Sequence, residues 1–221
     1  MDNALVPMEV VVWGPWACFT RPEMKVERVT YPVPTASAAR GMLEAIFWKP
    51  EFVWDVREIW VLKPIHYASF LRNEVKSRAS EAVAQRWATE GGGLNSTDDR
   101  AQRNTLALRD VAYLIRAQVV LKPGCTADMA KYRDQFRRRV VKGQCFAQPY
   151  LGCREFTASF GPPTGNERPE PITEDLGMML WDLDYDPDAS GRGVPRFIPV
   201  RIINGVIRFP EREVAACSCN A

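Results

Sequence analysis

The chain has 221 residues, of which 46% are hydrophobic and 25% charged, and its formal net charge is +2. This is the composition of an ordinary soluble globular protein, long enough for one large domain or two small ones at roughly 100–200 residues each. No apolar run approaches the roughly 20 residues that span a bilayer, so no membrane segment is read, and a charge this small argues little about partners.

The start, MDNALVPMEVVVWG, lacks a basic region followed by an apolar stretch and a small-residue cleavage site, so the cytoplasm is the expected compartment. Cys18, Cys125, Cys145, Cys153, Cys217 and Cys219 are irregularly spaced. Only Cys217 and Cys219 form a close pair, and one histidine cannot complete a zinc site, so reduced thiols are expected. Lysine and arginine cluster from Arg72 to Arg86, Arg100 to Arg116 and Lys131 to Lys142.

Met8 to Phe19 reads as a first strand that breaks at Gly14-Pro15. Trp13, Trp16 and Phe19 lie around that turn, either as packing or with one of them stacked on a nucleobase. Arg21, Lys25 and Arg28 follow in a polar loop that could meet phosphates. Tyr31 to Pro50, YPVPTASAARGMLEAIFWKP, reads as an entry loop, a helix capped by Thr35 or Ser37, and a stop. The helix has an apolar side of Ala39, Met42, Leu43, Ile46 and Phe47.

Val56 to Ile65 is the second strand, ended by a proline. His66 to Phe70 then runs into a charged segment that reaches Gly91-Gly92-Gly93, a mobile connection and not a phosphate loop, since no Gly-Lys-Ser/Thr follows. Thr105 to Leu121 predicts a long strand or a bent pair, preceded by a basic flap that orders with a ligand. Pro123-Gly124 turns the chain into a helix capped by Thr126 and stopped by Gly143. Its buried face is Met129, Tyr132, Phe136 and Val140, which leaves Arg133, Arg137, Arg138 and Lys142 as either a solvated face or a phosphate-binding one.

Tyr150 to Phe160 reads as a glycine-led loop and a further strand, completing β-α-β-β-α-β. The expected fold is α+β: a ferredoxin-like, RNA-recognition-like domain over 1–161 with a flexible basic insertion at about 77–103, a linker at 162–171, and a small antiparallel β domain over 172–221. In that last part Asn204-Gly205 is a strong hairpin turn.

Asp182, Asp184 and Asp186 do not make an EF-hand, because Pro187 stands where glycine must turn and Gly193 where a bidentate glutamate is needed; in a strand they would share one exposed face. No HExxH, GxSxG or zinc pattern occurs, and no metal or cofactor is expected. His66 is the single histidine, so any imidazole chemistry must use it, although a plain polar contact is the commoner role. Tyr31, Tyr67, Tyr113, Lys63 and Lys122 are the other groups that could handle protons or charge. RNA can be cut without a metal, since its 2′-hydroxyl attacks the adjacent phosphate when a base, an acid and cations are positioned around it.

The blocks YPVPTASAARGMLEAIFWKP, KPIHYASFLRNEV, QRNTLALRDVAYLI and YLGCREF, in this order within residues 8–160, resemble the signature blocks of the CRISPR-associated family Cas five, subtype I-C, of the RAMP superfamily. The resemblance implies metal-independent cutting of CRISPR repeat precursor RNA by an endoribonuclease that keeps the 5′ handle of its product. It also implies a place in a type I-C surveillance complex beside a Cas seven backbone and a Cas eight large subunit, with target DNA met only through the complex. The family's Tyr–Lys–His set is not matched: its tyrosine falls at Phe47, and no Lys-His pair follows Tyr113. Either the chemistry moves to neighbours, with His66, Tyr67, Arg116 and Lys122 as candidates, or cutting is weakened or lost and the chain is a noncatalytic cap on the handle. Expected RNA contacts are Arg40, Arg72, Asn73, Lys76, Arg100, Arg103, Asn104 and Arg109, with Arg137 and Arg138 after them. A structural protein without a nucleic-acid role is the third reading.

Overall fold

The structure, a computed structural model, describes residues 7–24, 26–77, 80–126, 128–184 and 193–212. Lys25, Asp186, Pro187, Cys217 and Cys219 lie outside the described residues. The chain is α+β: an antiparallel sheet with few helices.

Strand β1 (Met8–Ala17) buries Met8, Val10 and Val12 and leaves Trp13 exposed on the opposite face. A two-residue strand β2 (Arg28–Val29) precedes helix α1 (Ala36–Ile46). Thr35 caps that helix by accepting the Ala38 N–H at 3.1 Å. Ala36, Ala39, Met42, Leu43 and Ile46 form its buried side, and extended backbone at Phe47 ends it.

Strand β3 (Phe52–Val61) follows, then β4 (His66–Val75), which the sequence reading leaves inside a charged segment. Helix α2 (Glu81–Glu90), capped by Ser80, occupies part of the stretch read as a basic insertion. Strand β5 (Arg100–Leu121) is one continuous strand of 22 residues. Helix α3 (Met129–Lys142) is capped by Asp128, whose carboxylate accepts the Ala130 N–H at 2.8 Å, and not by Thr126. Its buried residues are Tyr132, Phe136 and Val140, and Gly143 closes it with φ 62°.

The stretch from Tyr150 is mostly loop: only Ser159–Gly161 forms a strand, β6. The loop is held by burial of Leu151 and by Gly152, where φ is 86° and an added Cβ would come within 2.1 Å of the Cys18 carbonyl oxygen. Strands β7 (Glu174–Asp184), β8 (Val194–Ile203) and β9 (Val206–Arg208) follow. Asn204 and Gly205 turn β8 into β9 with φ of 49° and 74°, as an Asn-Gly hairpin requires.

Among the described residues, nine strands make one sheet of order β6-β1-β5-β3-β9-β8-β7, with β2 and β4 also paired to β5. The two long helices pack together on one face, where Phe47, Phe52, Trp54, Tyr132 and Phe136 form a chain of ring contacts 4.8–6.2 Å apart. Strands β7 to β9 join through β9 on β3 and through α1 against β7.

Asp182 is buried, not exposed as strand alternation alone had suggested, and it binds Arg40 at 2.7 Å and also Arg212. Its carboxylate ties α1, β7 and the segment after β9 together. Asp182→Ala takes the shared counter-ion from two partly buried guanidinium groups and leaves Arg40 only the longer pair with Glu44. It is expected to cost about 3 kcal/mol of unfolding free energy, read as a lower urea midpoint at unchanged slope.

Candidate nucleic-acid interface

Both edges of β5 are used, and each changes partner midway. One edge pairs with β2 at Thr105–Leu106 and with β1 from Leu108 to Ala117. The other pairs with β4 from Arg100 to Arg109 and with β3 from Tyr113 to Leu121. Strands β3 and β4 therefore run one after the other along the same edge, separated by the jog Leu62–Ile65.

Strand β5 jogs with them. Asp110 adopts φ 52°, and its carboxylate accepts from Lys63 Nζ at 2.6 Å, clamping the two irregularities together. That hydrogen bond and the charge of Lys63, with Arg109 nearby, hold the Asp110 carboxyl below the usual carboxylate range. The alternation is reset there: Leu108 and Val111, three residues apart, both enter the core.

Beyond the jog, β4 and the first half of β5 form a two-stranded arm. Its inner face packs Phe70 on Trp16 at 5.4 Å and on Phe156 at 6.2 Å. Tyr67, Ser69, Leu71, Asn73 and Val75 line its outer face, opposite Asn104, Gln102 and Arg100, and all of these are exposed. Ser69 donates to Asn104 Oδ1 at 2.7 Å, leaving the Asn73 and Gln102 amides open to solvent. A face that mixes apolar surface, amides and exposed Arg100 and Lys76 suits bases and phosphates together.

At the root of the arm, Tyr67 is 50% exposed. Partial burial, and then the charge of Glu174, push its phenol up, so it is a protonated hydroxyl at neutral pH, able to donate to a ligand. Arg21, whose charge also reaches Tyr67, lies over the Tyr31 ring at 4.5 Å. Next to this loop is a groove of about 390 Å³ lined by Thr20, Thr35, Ser37, Gly41, Tyr150 and Gly152, among others. Thr20, Ser37 and Tyr150 were not read as site residues, because nothing in the sequence links positions so far apart.

The expected catalytic residues do not assemble. His66 and Tyr67 both stand at the arm's root, yet successive strand residues point to opposite faces, so one phosphate does not meet both. His66 lies opposite Arg109 and near Asp110. Arg116 is seven positions along β5 from Arg109, about 23 Å of strand. It is held between Glu9 at 2.8 Å and Glu58 at 3.0 Å, beneath Trp60. Lys122 follows the far end of β5, about 40 Å of strand from Arg109. Tyr31 and Tyr113 are buried, and burial pushes the Tyr113 phenol up. Phe47 is fully buried against Phe52 and Tyr132, with Arg139 over its ring.

Two expected RNA contacts are engaged elsewhere. Arg40 is held by Asp182 at 2.7 Å and Glu44 at 3.6 Å. Arg72 donates to Thr105 at 2.7 Å and pairs with Glu74 at 2.8 Å and Glu155 at 3.3 Å, leaving its side chain 16% exposed. Arg103, across from Arg72, lies 3.8 Å from Glu27. Asn73, Lys76, Arg100, Asn104 and Arg109 are exposed on or beside the arm, and the Asn104 N–H is bound by Glu27. Arg137 and Arg138 are exposed on α3, where Arg137 and Arg116 line a separate groove of about 200 Å³. Among the described residues no three His, Cys, Asp or Glu side chains gather as metal ligands.

A family model described as CRISPR-associated protein (Cas_Cas5) matches residues 8–210. A protein of Thermus thermophilus named CRISPR pre-crRNA endoribonuclease Cas5d is 46% identical over 221 residues, covering 93% of this chain and 92% of the relative. One of the same name from Mannheimia succiniciproducens is 43% identical over 213 residues, covering 90% and 92%. A solved CRISPR-associated protein superposes with a TM-score of 0.66 at 23% identity over 97% of this chain and 95% of that one. A chain of a CRISPR RNA-guided surveillance complex does so at 0.50 and 14%, over 90% and 91%. At these identities the solved structures speak to the fold alone.

Against single-stranded RNA, Arg100→Ala and Arg109→Ala are expected to weaken binding and to flatten the plot of log affinity against log salt by roughly 0.7 per lost phosphate contact. Arg40→Ala should leave that slope unchanged while lowering stability. Filter binding over a salt series, with a urea melt of each variant, reads both.

Proposed function

This chain belongs to the CRISPR-associated Cas5 family in its Cas5d form, and on that premise we propose that it cuts CRISPR repeat precursor RNA and retains the 5′ handle of the product. The observation that carries this is the 46% and 43% identity, over nine-tenths of the chain or more, with two relatives named pre-crRNA endoribonucleases. The proposed setting is a type I-C surveillance complex in antiviral defence, with the guide RNA bound directly. Cas seven and Cas eight subunits are its neighbours in this reading, and target DNA is reached through the complex.

The strand order β6-β1-β5-β3, antiparallel throughout, with α1 touching α3, supports a ferredoxin-like reading of the first part of the chain. RNA is proposed to follow the outer face of the arm to Tyr67 and the groove beyond it, with the cut-site phosphate carried round the arm's root to the opposite face, where His66 and Arg109 stand. The chemistry is internal transfer at phosphorus. A base takes the 2′-hydroxyl proton, the 2′-oxygen attacks the adjacent phosphate, and the 5′-oxygen leaves with a proton, giving a 2′,3′-cyclic phosphate and a 5′-hydroxyl. His66 is the proposed base, with the Arg109 guanidinium beside it for the charge that builds on the phosphorane. Tyr67, protonated and on the groove side, is proposed to hold the neighbouring nucleotide and not to exchange the proton.

The second reading, a noncatalytic subunit bound to the handle, is favoured by two observations: Phe47 is a buried core ring, and Arg116 and Lys122 are far along β5 from the histidine. A labelled repeat RNA incubated in excess EDTA separates the two. Cutting that persists in chelator, stops when the cut-site 2′-hydroxyl is removed, and falls by about 10²–10⁴ in His66→Ala with binding retained supports the assignment. Cutting at full rate by His66→Ala removes the imidazole from the mechanism. Tight binding without any cutting establishes the noncatalytic reading.

A further inference from the structure

Cys18 and Cys153, 135 positions apart, are brought together behind the groove. Three contacts fix the approach. The Cys18 N–H donates to the Leu151 oxygen at 2.9 Å, Gly152 sits so close to the Cys18 carbonyl that no side chain fits, and the Cys153 thiol lies 3.5 Å from that same carbonyl. The Thr20 hydroxyl stands between the sulfurs, 3.5 Å from Cys18 and 3.8 Å from Cys153. Arg28 Nη1 points at Cys153 Sγ from 3.3 Å and is itself held by Glu155 at 2.7 Å.

Their surroundings push the two thiols apart in acidity. Cys153 is held down at about 6, first by the neighbouring Cys18 thiol and further by Thr20 and Arg28. Cys18 is pushed up by the nearness of Cys153 and by burial. Cys18 is wholly buried, while Cys153 is partly exposed. A stabilised, reachable thiolate backed by a buried thiol is the arrangement of a reactive cysteine and its resolving partner.

We propose that Cys153 is a peroxide-reactive thiolate and Cys18 its resolving thiol, joined by oxidation into a disulfide directly behind the groove residues Thr20 and Gly152. In the first step the Cys153 sulfur attacks one oxygen of hydrogen peroxide. The O–O bond breaks, the departing hydroxide takes up a proton as water, and Cys153 becomes a sulfenic acid. In the second, Cys18 gives up its proton and its sulfur displaces the hydroxyl of the sulfenic acid, which leaves as water. One peroxide is reduced to two waters, and the protein loses two hydrogens. The thiolate that faced Arg28 is then gone. None of this depends on the RNA chemistry proposed above.

The test uses the reduced full-length protein and peptide mass spectrometry. With limiting iodoacetamide, labelling of Cys153 is expected to reach half its limiting rate at about pH 6, against about 8.5 for an unperturbed thiol, and Cys18→Ala should move that midpoint upward. Stoichiometric peroxide should then join the Cys18 and Cys153 peptides. The bond should be absent in Cys153→Ser, and in Cys18→Ala a dimedone-trapped sulfenic acid should take its place. A midpoint near 8.5 overturns the proposal. So does failure of the Cys18–Cys153 bond to form, whether no disulfide appears or other cysteines pair.

Discussion

The structure depends on the unbroken hydrogen bonding of β5. Its 22 residues pair with four other strands, and the strands on its two edges cannot shift without breaking several ladders together. Besides a bulge in β3 between Val56 and Glu58, its ladders break register at the positive φ of Asp110, matched across the edge by the Leu62–Ile65 jog and fastened by the Lys63–Asp110 pair. Everything on the core side of that jog is a layered sheet under two helices. Everything beyond it is an arm with one face packed and one face open. The candidate interface sits where the two meet, because there the strand must turn polar groups outward while its neighbours remain pinned.

Carboxylates elsewhere in the fold decide which cations are left for RNA. Arg40 and Arg212 neutralise buried Asp182, Arg72 and Arg28 share Glu74 and Glu155, and Arg116 lies between Glu9 and Glu58. These pairs hold elements together, and a phosphate would have to displace a fixed counter-ion to reach them. The positive charge exposed along the arm, at Lys76, Arg100 and Arg109, faces no such competition from a buried acid. A small net charge thus conceals a division between structural and available cations.

Much of the layered part was legible in the sequence. The Thr35 cap of α1, its buried Ala39, Met42, Leu43 and Ile46, and the Asn204-Gly205 turn follow from local rules and are found as expected; on α3 Tyr132, Phe136 and Val140 are buried but Met129 only partly, and Phe47 lies just past the end of α1. Strand β4 was not legible, because its exposed residues Asn73 and Val75 and paired residues Arg72 and Glu74 give no apolar period; only the ladder with β5 makes it a strand. The same holds for the site. His66 and Tyr67 stood out by type, whereas the engagement of Arg40 depends on a carboxylate 142 positions away. Cys18 and Cys153 could not be paired from spacing, since what joins them is the Leu151–Cys153 loop folding back onto the end of β1.

The measurement that bears most directly on this account is photo-crosslinking of repeat RNA carrying 4-thiouridine at successive positions, with the attached peptides sequenced. Crosslinks are expected on the outer face of the arm, at Tyr67, Leu71, Asn73 and Gln102, continuing to Tyr150 in the groove. Crosslinks confined to α3 around Arg137 and Arg138, or to the sheet around Arg116, would contradict it.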